Sequence, residues 1–267
     1  MKVLVTAGGT VERIDAVRAI ANSSTGRLGR LIAERWAQEP DVDEVFHVAP
    51  RRAERPAGLG VTWVEVTDTA SVVAALDDLF SRHRIAVAVH AMAVSDYRVR
   101  AVTTASRLAG QLRNVVGRPA FPTAAADPLV TAIRTAPGLP ADAKLSSHED
   151  DLLLLLEPTP KIIAGFRRWA PETALVGFKL LANASLDDLL AAARQVMTAN
   201  GCSHVLANDL RDIDGDRHTA YLLDRAGAVT RFETKAEIAD GLVAAVRLAL
   251  PARPTGTDPA PPAGGNP

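Results

Sequence analysis

Two segments near the start of the chain combine glycine with small hydroxylic residues. The first is Gly8-Gly9-Thr10, which directly follows the apolar run at 3–5, and the second is NSSTGRLG at 22–29. Paired glycines at a strand end let the backbone approach a ligand closely, and the free N–H groups of a helix start can hold phosphate oxygens. The spacing differs from G-x-G-x-x-G, so the two segments predict a phosphate-bearing ligand without indicating a dinucleotide cofactor. Helix capping by serine or threonine is the alternative interpretation of 22–29.

The segment HAMAVSDY at 90–97, after the fourth predicted strand, offers further ligand contacts. Ligands bind at the carboxyl ends of parallel strands in open α/β sheets. The small residues Ala91 and Ala93 leave room for a flat group, and Asp96 could accept hydrogen bonds from a base or a ribose. Alternatively, Asp96 caps the next segment. His90, on an apolar strand, is interpreted as a core histidine rather than a catalyst.

Three later residues complete the set of candidates. Lys144, in AKLSS at 143–147, could direct a cation towards phosphate charge. Phe178 could stack on a base, and Asn208, at the end of a later strand, could contact its polar edge. Taken singly, a surface lysine and a core phenylalanine are the simpler interpretations. Together, these candidate residues indicate a ligand-binding site more specifically than any one of them does alone.

The elements that must position these residues alternate between short apolar runs and helical patterns. Several runs are almost continuously apolar, which is typical of strands buried on both faces of a parallel sheet. The alternation predicts a three-layer, Rossmann-like α/β fold with a mostly parallel sheet and helices on both of its faces. Strands are predicted at 2–6, 44–49, 61–66, 85–91, 152–157, 174–178 and 203–207. Helices are predicted at 26–38, 69–82, 160–169, 185–199 and 234–249. Thr159, which precedes a proline, is predicted to cap the third of these helices.

Three segments depart from this alternation. Residues 103–143 are rich in glycine and proline and too long for an ordinary connection, so we expect a long flap there. Residues 219–232 predict a C-terminal hairpin. Residues 251–267, again rich in proline and glycine, are predicted to form a disordered tail. The remainder, 1–250, is predicted to be a single α/β domain.

Composition excludes several classes of protein. The chain has 267 residues, of which 48% are hydrophobic and 23% charged, as in ordinary globular proteins. Its formal net charge is −1, so neither a nucleic-acid nor a membrane-surface partner is expected. No apolar stretch reaches the roughly 18 residues of a membrane span. The single cysteine, Cys202, excludes an internal disulfide and fits a cytoplasmic protein, and we expect it to be structural.

Taken in order, these segments resemble those of the phosphopantothenate–cysteine ligase family (phosphopantothenoylcysteine synthetases). The resemblance covers roughly residues 1–250 and looks closest to the stand-alone bacterial form, because no flavin-dependent decarboxylase domain precedes Met1. The matching motifs are GGT-x4-D-x-V-R from Gly8 onward, NSSTGRLG, AVSDY, AKLSS, TPKII at 159–163, VGFKL and AND.

The resemblance implies a two-step ligation in coenzyme A biosynthesis. The carboxylate of 4′-phosphopantothenate would attack the α-phosphate of a nucleoside triphosphate, CTP or ATP, with release of pyrophosphate. The acyl-nucleotide would then react with the amino group of cysteine. Mg2+ is expected to screen the triphosphate, and no redox cofactor is implied. Relatives are homodimers, so we expect a cytoplasmic homodimer with small-molecule substrates and no nucleic-acid or membrane partner.

The same resemblance implies roles for individual residues. Asn22 matches the asparagine that holds the acyl intermediate, and Lys144 matches the lysine that engages the triphosphate, so both are predicted to be catalytic. Arg18 and Asn208 are predicted to bind substrate. The predicted nucleotide contacts are Gly8, Gly9, Thr10, Ser24, Gly26, Gly29, Met92, Ala93, Asp96 and Phe178. The sequence does not identify which residues would bind the metal ion.

Three other functions stay open as well. A paralogous ligase could use the same chemistry on a different acid and amine, and failure with phosphopantothenate alongside nucleotide binding would favour it. A nicotinamide-dependent oxidoreductase is disfavoured, because the opening loop lacks G-x-x-x-G-x-G and Ala101, not a lysine, stands four residues after Tyr97. A non-catalytic nucleotide-binding protein has less need of both Asn22 and Lys144.

Overall fold

The structure, a computed structural model, describes residues 1–116, 128–139, 144–145 and 151–251. The predicted tail therefore lies outside the described residues from 252 onward. So do parts of the predicted flap, and also Ser146 and Ser147 of the AKLSS motif.

Every predicted strand and helix is present at or near its predicted position. The strands of the described residues are, in chain order, β1 (Lys2–Thr6), β2 (Val11–Arg13), β3 (Ala19–Ala21), β4 (Glu44–Pro50), β5 (Val61–Val66), β6 (Ile85–His90), β7 (Tyr97–Thr104), β8 (Leu152–Pro158), β9 (Ala174–Leu181), β10 (His204–Asp209), β11 (Ile213–Asp214), β12 (Arg217–Asp224) and β13 (Val229–Thr234). The helices are α1 (Arg27–Ala37), α2 (Thr69–Arg82), α3 (Ala105–Val116), α4 (Pro128–Arg134), α5 (Ile162–Trp169), α6 (Leu186–Asn200) and α7 (Lys235–Ala249). None of the helices in these described ranges is long and apolar enough to cross a membrane.

A nine-stranded sheet confirms the predicted α/β fold. Its strand order is β11-β12-β10-β9-β6-β1-β4-β5, with β13 beside β12. Neighbouring strands from β10 through β5 pair in parallel, whereas β11, β12 and β13 pair antiparallel. The β12–β13 pair is the predicted C-terminal hairpin. Because the parallel strands run in one direction, the loops that follow β1, β4, β6, β9 and β10 meet at one edge of the sheet.

Two apolar cores cover the two faces of this sheet and make the three layers. On one face, α1 and α7 pack against strand residues that include Val3 and Val5, and Trp36 is fully buried there. On the other face, α2, α5 and α6 pack against strand residues that include Leu4. Strand β1 thus supplies side chains to both cores, as the alternation of a strand requires, and this is why its sequence is continuously apolar.

Strands β7 and β8 form a separate antiparallel sheet. The strand predicted at 152–157 is therefore present, but it lies outside the parallel sheet. Its leucines are not buried on both faces, since Leu154 and Leu156 are 38% and 45% exposed. A run of one residue type carries no alternation, so the sequence does not reveal which face of β8 is covered.

Residues 105–116 and 128–134 of the predicted flap are helical rather than irregular. Helix α3 follows β7 directly, and α3 and α4 pack on each other. The proline that opens α4 stands at the first helical position, where its missing N–H costs nothing. Buried Val102, Leu139 and Leu145 form a small core against which Ile14, Val99 and Leu152 pack.

Helix α5 begins two residues later than predicted, and its N-cap is Lys161 rather than Thr159. The Thr159 hydroxyl donates instead to the carbonyl of Ser95, and the Thr159 N–H donates to the carbonyl of Asp96 at 3.0 Å. These partners lie in the loop after β6, so a tertiary contact replaces the local cap. The entry to α5 is thereby joined to the edge of the sheet where the parallel strands end.

Candidate active site

The loop after β1 is bonded directly to the loop after β6 and to the segment before α1. The Thr10 N–H donates to the carbonyl of Ala93 at 3.1 Å, and the Ala93 N–H donates to the carbonyl of Gly8 at 2.8 Å. Asn22 joins both loops: its N–H donates to the carbonyl of Thr10 at 3.3 Å, and its Nδ2 donates to the carbonyl of Ala93 at 3.1 Å. The structure thus brings these predicted site residues together at the carboxyl edge of the sheet.

Close contact between these segments requires glycine at several positions. A Cβ atom on Gly9 would lie 2.4 Å from the carbonyl oxygen of Asn22, and one on Gly29 would lie 2.4 Å from the Cβ atom of Ala7. A Cβ atom on Gly26, whose φ is +77°, would lie 3.2 Å from the backbone nitrogen of Gly8. Gly9 and Gly29 therefore each have a contact within the protein that excludes a side chain, and the positive φ of Gly26 disfavours one, whatever ligand approaches the loop.

The N-cap residue of α1 has no side chain to cap the helix. This N-cap is Gly26, and the Arg27 N–H donates to the Oγ1 atom of Thr25 at 3.3 Å. Ser24 is half-buried nearby and is not the N-cap, so Thr25 is the hydroxylic residue of this segment that bonds to the start of the helix. The first N–H groups of a helix lack intrahelical acceptors and carry partial positive charge, so this helix start can receive a phosphate group.

Below the loops, threonine hydroxyls tie the strand ends together. The Oγ1 atom of Thr10 accepts from the N–H of Ser95 at 2.8 Å and donates to its hydroxyl at 3.0 Å. The Oγ1 atom of Thr6 lies 2.8 Å from Nδ1 of His90, which is buried. Burial lowers the pKa of His90 to about 4, so its ring is neutral near pH 7. The interpretation of His90 as a core histidine is confirmed.

An ion pair holds the turn between β2 and β3. The carboxylate of Asp15 accepts from the N–H groups of Val17 and Arg18 at 2.8 and 2.7 Å, and from Nε and Nη2 of Arg18 at 2.8 and 2.6 Å. These bonds, first the backbone N–H of Arg18 and then its guanidinium, hold the pKa of Asp15 well below its usual range. The Leu145 N–H also donates to Asp15, at 3.2 Å. The exposed Lys144 is therefore placed beside the Asp15–Arg18 turn.

The other predicted site residues occupy different positions around this edge. Asp96 is exposed and its carboxylate lies 2.5 Å from Nζ of Lys161. Met92 is buried in the core, so only its backbone can meet a ligand. Phe178 on β9 is half-buried among the residues packed on α1 and α7, and Asn208 on the adjacent β10 is 5% exposed. The register of β9 and β10 places Phe178 and Asn208 on the same face of the sheet.

Arg52 escapes prediction from the sequence, yet it contacts two segments of the site. Its Nη2 atom donates to the carbonyl of Gly9 and to the carbonyl of Asn22, both at 3.0 Å. One guanidinium thus fixes the backbone on either side of the contact that excludes a Cβ atom at Gly9. The signal that could have found Arg52 is its place just beyond β4, which is parallel to β1 and ends at the same edge.

An Mg2+ ion at this site would need substrate phosphates for most of its ligands. The described residues contain no group of three or more His, Cys, Asp or Glu side chains that could hold a metal ion. Mg2+ commonly needs only one or two carboxylates when phosphates supply the other ligands. The carboxylate of Asp209 already accepts backbone N–H groups, including that of Ala184 at 2.7 Å. The carboxylate of Asp96, near the loop after β6, is exposed but paired with Nζ of Lys161, so a metal ion there would have to displace this ion pair.

Cys202 is not expected to react or to bind a ligand. It is buried, and burial raises the pKa of its thiol to about 11. The thiol therefore stays protonated near neutral pH, which agrees with the expected structural role.

Comparison with known proteins identifies relatives of the chain. The family model for the DNA/pantothenate metabolism flavoprotein C-terminal domain matches residues 1–109 and 135–249. The chain is 30% identical over 243 residues to the coenzyme A biosynthesis bifunctional protein CoaBC of Thermococcus kodakarensis, with 90% of this chain and 49% of that protein covered. The CoaBC protein of Methanocaldococcus jannaschii is 24% identical over 252 residues, with 92% and 50% covered. The chain spans about half the length of these curated relatives.

Solved structures share the fold. The crystal structure of the DNA/pantothenate metabolism flavoprotein from Streptococcus pneumoniae has a TM-score of 0.75 and 31% identity, covering 94% of this chain and 100% of that chain. The C-terminal domain of CoaBC has a TM-score of 0.63 at 20% identity, covering 93% and 94%. A Cab2 mutant in complex with phosphopantothenate-cysteine has a TM-score of 0.62 at 17% identity, covering 93% and 85%. The last two matches are likenesses of fold.

Proposed function

We propose a function from one premise: the chain belongs to the DNA/pantothenate metabolism flavoprotein C-terminal domain family. The proposed function is that of a phosphopantothenate–cysteine ligase in coenzyme A biosynthesis. Two relatives are named as coenzyme A biosynthesis proteins, and the Cab2 structure of similar fold holds phosphopantothenate-cysteine, which such a ligase would form. The order and spacing of the motifs in this chain support the same function.

The proposed reaction has two steps. A carboxylate oxygen of 4′-phosphopantothenate bonds to the α-phosphorus of a nucleoside triphosphate, the bond from that phosphorus to the bridging oxygen breaks, and pyrophosphate leaves. The amino nitrogen of cysteine then bonds to the acyl carbon and loses a proton, and the nucleoside monophosphate leaves. The mixed anhydride supplies the leaving group that a free carboxylate lacks. Catalysis then depends on orientation and on stabilisation of charge.

The anchoring of Asn22 is the observation that carries this proposal. Its N–H and one N–H of its Nδ2 are bonded to the loops after β1 and β6, and Arg52 holds its carbonyl. A side-chain amide has two donors and an acceptor oxygen, so a second N–H and the Oδ1 atom are left for a ligand. An amide held in this way can orient an acyl phosphate at the start of α1, where the first N–H groups of the helix can receive a phosphate.

The remaining assignments follow the resemblance. We expect CTP as the nucleotide, with ATP as the alternative, and Mg2+ bound to its phosphates. The base and ribose would meet Ala93, Asp96 and Phe178, and Lys144 would engage the triphosphate. Asn208 would provide a polar wall for substrate. We also expect a homodimer.

The test is a separation of the two half-reactions in the Asn22→Asp variant. Pyrophosphate release is measured with Mg2+, 4′-phosphopantothenate and either CTP or ATP, and the cysteine adduct is measured by mass. We expect release to persist while adduct formation falls by about 100-fold, because an added negative charge repels the acyl phosphate. Asn114→Asp makes the same chemical change on the exposed surface of α3 and is the matched control.

Two results would contradict the proposal at different levels. If both half-reactions are unchanged in Asn22→Asp, the role given to Asn22 is wrong. If the unmodified protein binds nucleotide but releases no pyrophosphate with phosphopantothenate, the acid is a different one, as the paralogous ligase hypothesis predicts.

A further inference from the structure

Arg52, in the loop after β4, bonds to both glycine-rich segments of the site. Its Nη2 atom donates to the carbonyl oxygens of Gly9 and Asn22, both at 3.0 Å. Among the described residues, no other group donates to either oxygen. Two oxygens with partial negative charge thus share one cationic donor, and the guanidinium stabilises a close approach that the two oxygens by themselves would oppose.

The residues that follow Arg52 hold its loop in place. Ala53 is buried, and a Cβ atom on Gly26 would lie 3.0 Å from the Cβ atom of Ala53. The Glu54 N–H donates to the carbonyl of Thr25 at 2.9 Å. The loop therefore packs directly on the segment before α1. A side chain that extends from a fixed backbone loses less conformational entropy when it forms its hydrogen bonds.

The backbone of Asn22 is held from two sides. On one side, its N–H donates to the carbonyl of Thr10 at 3.3 Å, which is longer than the usual value of about 3.0 Å. On the other side, its carbonyl accepts from Arg52, and a bond from a charged donor is the stronger kind. The bond from Nδ2 to the carbonyl of Ala93 fixes one N–H of the side chain, but the amide can still turn about this bond. Arg52 is therefore the main restraint on the direction of the amide.

The two steps of the proposed reaction depend on Asn22 to different extents. In the first step, Lys144 rather than Asn22 is expected to engage the triphosphate. In the second step, Asn22 is expected to orient the acyl phosphate for attack by the amine. A loss of orientation at Asn22 therefore slows the second step more than the first.

We propose that Arg52 is a positioning residue, which acts through Asn22 and serves the second step more than the first. The inference rests on the proposed function. It gives the loop after β4 a part in the reaction that the sequence motifs do not indicate, because Arg52 lies outside every motif that supports the family resemblance.

The test measures the two half-reactions in Arg52→Ala. We expect adduct formation to fall about tenfold, with pyrophosphate release and the KM values for acid and nucleotide nearly unchanged, because only the second step needs the orientation of Asn22. Arg52→Lys keeps the charge and a donor but not the planar fork, so it should recover part of the loss. Arg55→Ala removes a positive charge that lies over Trp63 in the same region, and this matched control should change neither half-reaction.

Two further measurements distinguish positioning from a general loss of structure. In the Asn22→Ala background, Arg52→Ala should lower adduct formation by less than about twofold, since no amide is left to orient. Guanidinium ion at about 20 mM, far below the molar concentrations that unfold proteins, should restore part of adduct formation in Arg52→Ala and none in Asn22→Ala. If Arg52→Ala slows both half-reactions equally, or has the same effect in both backgrounds, the inference is wrong.

Amide hydrogen exchange, followed by NMR, separates failure of this inference from failure of the proposed function. We expect the N–H groups of Asn22 and Thr10 to exchange faster in Arg52→Ala and at the original rate in Arg55→Ala. If the unmodified protein shows no turnover, this result would support the positioning of Asn22 by Arg52 although the ligase function failed. In that case, unchanged exchange in Arg52→Ala would overturn the inference.

Discussion

Two helices of this protein contain an interior glycine, and the two glycines have opposite surroundings. In α1, a Cβ atom on Gly29 would lie 2.4 Å from the Cβ atom of Ala7, whereas in α3 a Cβ atom on Gly110 would meet nothing within 4 Å. The first helix starts beside the loop after β1, and the second leads away from the β7–β8 sheet. The same residue type therefore marks a crossing of chain segments in one region and open space in the other.

The difference extends to the regions around the two glycines. Around α1, Thr6, Ala7 and Thr10 are fully buried. On the β7–β8 sheet, Leu154 and Leu156 remain substantially exposed. Tight packing fixes atoms within a fraction of an ångström, which the proposed role of Asn22 requires. The tightly packed region is thus the one expected to hold the chemistry.

The largest effect is expected from Gly9→Ala. Its new Cβ atom would lie 2.4 Å from the carbonyl oxygen of Asn22, so the asparagine must move. A displacement of about 1 Å can cost roughly 100-fold in rate, and we expect a loss of that order in adduct formation. The measurement is adduct mass per unit time in a protein whose circular dichroism shows that it is folded. Unchanged activity would mean that the close contact between Gly9 and the carbonyl of Asn22 does not determine the position of Asn22.

Gly29→Ala is expected to destabilise the protein by about 1–3 kcal/mol, the usual cost of overpacking a closely packed contact. The gain in helix propensity, about 1 kcal/mol at most, is too small to offset it. Urea unfolding followed by circular dichroism gives the free energy of unfolding. A stabilised variant would show that α1 can move away from β1 at little cost.

Buried His90, in the tightly packed region, is expected to make the free energy of unfolding depend on pH. The pKa of His90 is lowered by burial to about 4, below the roughly 6.5 of an unfolded histidine. The unfolded chain therefore binds a proton more readily, so the stabilising contribution is complete above about pH 6.5 and is lost as the pH falls towards 4. Between pH 7 and 5.5, we expect His90 to account for a loss of about 1 kcal/mol in the free energy of unfolding.

His90→Gln should reduce this pH dependence, because glutamine does not titrate. The free energy of unfolding of both proteins at the two pH values gives the difference directly, whatever the absolute stability of the variant. Equal pH dependence in the two proteins would contradict the buried, neutral state of His90.

The smallest effect is expected from Gly110→Ala, and its sign is opposite. With open space around the new methyl group, alanine should stabilise α3 by about 0.5–1 kcal/mol through its helix propensity. Amide hydrogen exchange across α3 measures this locally, even if α3 opens separately from the main sheet. Destabilisation here would mean that the two glycines do not differ as their surroundings indicate.

Local sequence patterns predicted the elements of the main sheet well. Strands such as β1 and helices such as α2 follow from apolar periodicity, which depends only on residues near one another in the chain. The motifs with Asn22 and with Gly8 and Gly9 were likewise visible as short segments. These short segments did not predict their tertiary contacts. Nothing in the sequence at 22–29 indicates that Asn22 is hydrogen-bonded to Ala93.

The sequence by itself determined the alternation of strands and helices, the family resemblance and most candidate residues, because each depends on short-range order along the chain. Only the tertiary structure decided that β8 leaves the parallel sheet, that Thr159 bonds to Ser95 instead of capping α5, and that Arg52 reaches Gly9 and Asn22. These outcomes depend on contacts between residues far apart in the chain. Such contacts are selected by the packing of whole elements, and local periodicity carries no information about them.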